Sequence, residues 1–162
     1  MKFLFDELIR LLTEILALYQ ELLVLGKAKK EHLVKYEVKD LGVIIQKEEK
    51  HILAINRFEV ERAKVVRQIA ERVGANEKLS NIKELAEPEQ RAQLEMLEAN
   101  FQTLLAELVP LNQLNTELVT QAMQMINFNI NIMARTTVNP TYGPSIQGPG
   151  GKQGKSLLDQ SV

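Results

Sequence analysis

The residues that could carry chemistry are few and scattered. The two histidines, His32 and His51, stand nineteen positions apart, and a lysine and a glutamate immediately precede each. Neither sits in a His-Glu-x-x-His pattern, and the chain has no Gly-x-Ser-x-Gly elbow. Carboxylate-bridged metal bundles need a Glu-x-x-His motif on each of two helices and two further glutamates, and the sequence does not offer that set. The glycine cluster Gly148-Pro149-Gly150-Gly151-Lys152 follows no strand pattern, so it does not read as a phosphate loop. With no cysteine there is no thiol catalysis, no disulfide and no Cys-type zinc site, in keeping with a reducing compartment. The expectation is a protein that is not an enzyme, holding neither metal nor cofactor, with both histidines solvated.

The remaining polar candidates lie on helical patterns. Glu59 and Arg62, three apart, admit two readings. They form either a buried polar layer that fixes helix register or meets a partner, or a partly solvated intrahelical pair contributing about 0.2 to 0.5 kcal/mol. Asn112 and Asn115, at the same spacing further on, are candidates for such a layer. The least ordinary stretch is Met123 to Met133, where apolar residues alternate with asparagine from Ile126 to Ile132. A period of two is a strand signal, yet the segment continues a helical pattern and has no second strand to pair with. It is either the last turns of a helix packed on the N-terminal rod, or a marginal segment ordered by a partner. Flexible, methionine-rich surfaces suit the capture of apolar helices.

The elements that must position these residues are helices. Phe5, Leu8, Leu12, Ile15, Tyr19 and Leu22 alternate steps of three and four, a coiled-coil seam, and Leu4, Leu11, Leu18 and Leu25 add a second row. Gly26 interrupts this helix of residues 3–38 as a point of bending. Asp40 restarts the pattern as a cap for a helix of residues 40–73 with seam residues Leu41, Ile45, Ile52, Ile55, Val66, Ile69 and Val73, and Gly74 stops it. No proline or turn dipeptide separates these two helices, which predicts near-continuity. A short helix over 80–86, opening at Ser80-Asn81, connects to a last long helix over 88–133 with Pro88 at its first position. Its seam runs Leu94, Leu97, Phe101, Leu104, Leu108, Leu111, Asn115, Leu118, Ala122, Met125; Pro110 inside it predicts a kink and not a break.

The fold class is therefore all-α: an elongated antiparallel helical bundle, or coiled-coil-like hairpin of long helices, in residues 1–135. Residues 136–162 hold three of the five prolines and five of the eight glycines, so a flexible tail is expected there. Bulk composition agrees. Hydrophobic residues make up 45% and aromatics 5%, which suits an aliphatic helix-on-helix core. The formal net charge of -1 argues against a nucleic-acid partner. Acidic residues at Asp6 and Glu7 and the charges within residues 1–25 argue against a signal peptide, a membrane span or stable membrane insertion.

Three features together resemble the FlgN family of flagellar type III export chaperones. They are the leucine-rich first helix with Tyr19-Gln20-Glu21-Leu22-Leu23 before a lysine-rich turn, the Glu59-x-x-Arg62 helix running into Ile69-Ala70, and Leu111-Asn112-x-x-Asn115-x-x-Leu118 with Tyr142-Gly143-Pro144 in the tail. The resemblance extends over roughly residues 1–145. It implies a cytoplasmic chaperone that holds the amphipathic terminal helices of hook–filament junction proteins, prevents their premature assembly and delivers them to the flagellar export gate. By the same resemblance, Leu118, Met125, Ile126, Phe128, Ile130 and Ile132 are expected to face the client, and Tyr142 to touch an export gate component. A homodimer in the client-free state would cover the same apolar surface. The rival expectation is a structural, self-assembling coiled coil, although Gly26, Pro110 and the asparagine run break the heptads such a rod would keep.

Overall fold

The computed structural model describes residues 1–74 and 82–137, the side chains of 136 and 137 excepted. Three long helices account for most of them: α1 (Lys2–Lys35), α2 (Leu41–Val73) and α3 (Pro88–Thr137). Short 3-10 turns, Val38–Asp40 and Lys83–Leu85, stand in the connections. There is no strand among the described residues, and the protein is an all-α helical bundle.

The ends of the helices follow from local chemistry. Near-continuity of the first two helices does not hold. α1 stops where Tyr36 adopts the left-handed conformation (φ 57). There Glu37 N–H donates to the His32 carbonyl at 3.0 Å and Tyr36 N–H to that of Leu33 at 3.3 Å. These crossed bonds form a Schellman motif, which satisfies carbonyls the helix leaves open and turns the chain away. A tyrosine in that conformation is uncommon, so nothing in the sequence marks the stop. Asp40 does sit before α2, but its side chain makes no capping bond. Gly74, at φ 63, ends α2 as expected, its N–H donating to the Ala70 carbonyl. Pro88 opens α3 with Glu89 in the first turn, where the helix dipole favours an acid. The connector before it closes on a 3-10 turn, Lys83–Leu85, directly after Ile82, which is helical, while the opening of the expected short helix at Ser80-Asn81 falls outside the described residues.

Named contacts fix the directions of the helices. α1 and α2 are antiparallel: Lys29 Nζ meets Glu48 Oε2 at 2.7 Å, and His51 Nε2 meets Glu21 Oε2 at 3.0 Å. α3 lies parallel to α1. Low on α1, Gln90 Nε2 donates to Asp6 Oδ1 at 2.6 Å and to the Lys2 carbonyl at 3.0 Å. Midway, Tyr19 and Phe101 stack edge to face at 6.2 Å. Higher still, Lys27 pairs with Glu107 at 2.5 Å.

The main core gathers where α1 and α3 begin and α2 ends. Leu4, Phe5, Leu8, Leu11, Leu12 and Leu16 pack there with Val65, Val66 and Ile69, with Ile82 and Ala86 of the connector, and with Leu94, Leu97 and Leu104. Each such aliphatic or aromatic side chain contributes about 1.5 to 3 kcal/mol by leaving water. The α1 seam is buried from Phe5 to Ile15 and half-buried at Tyr19 and Leu22, but α2 is rotated at its start. Ile44 and Ile55 are buried while Ile45 and Ile52 stay about half exposed. Gly26 does not interrupt α1, which runs through it, and α3 likewise runs through Pro110 without a break.

The chain divides within α3 into two units, Met1–Asn127 and Phe128–Val162. In the second, the described residues continue the helix as far as Thr137. The expected flexible tail falls, from residue 138 on, outside the described residues.

Candidate functional site

The α1 helix runs out before α3 does. Asn115 is level with Gly26, and α1 ends at Lys35, about two and a half turns further on. On that spacing α3 loses its α1 neighbour by roughly residue 124. Its sequence stays amphipathic as it does so. At 100° per residue, Leu118, Val119, Ala122, Met123, Met125 and Ile126 fall on one half of the helix, and Glu117, Thr120, Gln121, Gln124 and Asn127 on the other.

The apolar half is not covered. Leu118 is half-buried, and Met125 and Ile126 are each 52% exposed. In the second unit Phe128, Ile130 and Ile132 are 63%, 57% and 47% exposed. The packed-core reading of this segment therefore does not hold. Wrapped on a helix, the alternation puts Phe128 and Ile132 toward one side and Ile130 toward another, so no single neighbour could bury them all. Val119 and Met123 join the exposed apolar half of the first unit, a membership visible only once the helical phase is known. Glu117 is the one charged residue between Leu108 and Ala134. Polarity along this stretch comes from Asn, Gln and Thr, whose neutral side chains hydrogen-bond without long-range fields. A surface of this kind can accept an apolar helix face and does not steer by charge.

The expected polar layer separates into unlike parts. Arg62 reaches Glu59 Oε2 from Nη2 at 2.7 Å and from Nε at 2.9 Å, with both side chains partly in solvent. This is the solvated intrahelical pair. It borders a groove of about 340 Å³ that Leu12, Leu94, Leu97, Phe101 and Leu105 also line. Asn112 is exposed, its carbonyl accepting from Thr116 Oγ1. Asn115 is the buried member at 2% exposure, and its Nδ2 donates to the Gly26 carbonyl at 2.9 Å. Tyr142 lies outside the described residues.

Each histidine lies beside a carboxylate, although His32 Nδ1 makes no hydrogen bond among the described residues. His51 meets Glu21, and His32 Nδ1 lies 3.3 Å from Glu37 Oε2. Glu48 stands three before His51, a lone Glu-x-x-His, but Lys29 takes its carboxylate. No group of three metal-binding side chains occurs among the described residues. Elsewhere on the surface, the Arg10 guanidinium hydrogen-bonds Glu7 and holds its carboxyl below the usual glutamate value. The Glu98 carboxylate likewise holds the Lys83 ammonium above the ordinary lysine value. No described helix is long and apolar enough to cross a membrane.

Comparison with known proteins gives the family of the chain. A Bacillus subtilis (strain 168) protein named "Uncharacterized protein YvyG" is 27% identical over 154 residues, which cover 95% of this chain and 96% of the relative. No solved structure matches at a significant level. The family described as "FlgN protein" matches residues 1–149, which include every described helix. The chain thus belongs to the FlgN family of flagellar export chaperones.

Proposed function

We propose that this protein is a cytoplasmic chaperone for hook–filament junction proteins, whose amphipathic terminal helices it covers until delivery to the export gate. The observation that carries the reading is the apolar set on α3, in which Leu118 is half-buried and Met125, Ile126, Phe128, Ile130 and Ile132 are exposed. Apolar side chains left about half exposed on a helix are costly in water and gain by accepting another amphipathic helix. A client helix would dock with anchors at i, i+3, i+4 and i+7, exchanging two solvated apolar faces for one shared core. No nucleotide chemistry is required for release, since competition at the gate can free the client. Family membership supports the chaperone role, and the near-absence of charge between Leu108 and Ala134 supports an apolar client face.

The test is co-purification with separately produced hook–filament junction proteins, followed by size-exclusion chromatography with light scattering. A one-to-one complex that requires the client's terminal helix is expected. Absence of any complex, with the protein alone forming a defined oligomer, would favour a self-assembling coiled coil instead.

A further inference from the structure

Apolar contact alone leaves the register between α1 and α3 degenerate. Leu4, Leu11, Leu18 and Leu25 recur every seven residues on α1, as do Leu94, Phe101 and Leu108, and Leu97, Leu104 and Leu111, on α3. Two parallel helices with such rows can slide by one heptad and still set leucine against leucine.

Asn115 removes that degeneracy. It continues the Leu94, Phe101, Leu108 row with a polar side chain, and it is buried. Its Nδ2 finds the carbonyl of Gly26, the only glycine in α1. A side chain at that position would crowd the approach: a Cβ on Gly26 would stand 3.0 Å from Leu111 Cδ2 and 3.9 Å from Asn115 Nδ2, and a larger side chain would have no room. After a slide of seven residues Asn115 would face a helix surface covered by side chains, with its whole amide unpartnered in an apolar layer. Even in the native register its Oδ1 has no hydrogen-bond partner among the described residues. An amide only half satisfied is a poor source of stability, whereas a single buried asparagine is an effective selector among coiled-coil registers. Low on α1, Gln90 makes a second polar fix through its bonds to Lys2 and Asp6.

We infer that Asn115, seated on Gly26, is a positioning residue that pegs α3 to α1 in one register and so sets where the exposed row beginning at Leu118 starts. Its consequence for client capture rests on the proposed function, but the register itself does not.

The chain has no cysteine, so two introduced ones are the only sites that spin labels can take. Thr13→Cys and Thr120→Cys place labels on exposed positions of α1 and α3, and pulsed electron–electron resonance reads the distance between them. The parent protein is expected to give one distance. With Asn115→Leu and Gln90→Leu added, a second population displaced by about 10 Å should appear, the axial length of seven helical residues. Gly26→Leu, which blocks the seat and leaves Asn115 in place, should also split the distribution. A single unchanged distance in both variants would overturn the inference. Loss of helical circular dichroism in the Asn115→Leu protein would overturn it equally, because that exchange removes only a half-satisfied amide from the core.

Discussion

Asn115 donates from Nδ2 to the Gly26 carbonyl at 2.9 Å, across a helix pair brought close by the missing side chain of Gly26. The close approach predicts a graded response to substitution. Gly26→Ala gains about 1 kcal/mol of helix propensity. It also presses a methyl against the Leu111 side chain, and overpacking costs about 1 to 3 kcal/mol. The Leu111 Cδ2 can yield, so the net loss should stay below about 1 kcal/mol. Gly26→Leu, with three more carbons to place, should lose about 2 to 3 kcal/mol. Urea unfolding of the two variants would measure the difference.

Phe5 and Phe3, two residues apart on α1, are 1% and 77% exposed. Phe5→Ala should destabilise the protein by about 3 to 5 kcal/mol, the transfer and cavity cost of a fully buried ring. Phe3→Ser should change stability by less than about 0.5 kcal/mol. Thermal melts of the pair, recorded at one protein concentration, check both the core assignment and the phase of α1.

Two exposed ion pairs should be visible by titration. Arg10 depresses the Glu7 carboxyl, so the stabilisation from this pair is present above the unfolded glutamate value, 4.5, and is lost as pH falls through the lower folded value. Glu98 raises the Lys83 ammonium, so that contribution is complete below the unfolded lysine value, 10.5, and is lost as pH rises through the higher folded one. Nuclear magnetic resonance of the Glu7 carboxyl carbon should show a midpoint below the ordinary glutamate value. Arg10→Ala should return it upward.

The Glu59–Arg62 pair is partly in solvent and should contribute little. Arg62→Gln is expected to lower stability by less than about 0.5 kcal/mol, with the difference shrinking further in added salt. A loss of several kcal/mol would mean that the pair is a buried layer after all.

The sequence made the helices legible because their cues are local. The seven-residue rows placed the core faces of α1 and α3, and Gly74 and Pro88 marked a stop and a start by their backbone geometry. Tyr36 gave no such cue, since a left-handed tyrosine is held by its Schellman bonds and not by its own preference. The hairpin between α1 and α2 was hidden for that reason. Gly26 was legible as a special position, but its function as a close approach needed the partner helix to be seen. The client-facing candidates were legible as an anomaly at Met123 to Met133. Their exposure was not, because it depends on which neighbouring helices run out first.

The most direct test of the chaperone account is the variant Ile126→Ser, Phe128→Ser, Ile130→Ser, assayed for affinity to a purified hook–filament junction protein and for its own Tm. All three side chains are more than half exposed in the free protein, so the Tm should move by no more than about 2 °C. Loss of three apolar anchors should weaken client binding at least about a hundredfold. Client affinity equal to that of the parent protein would contradict the account.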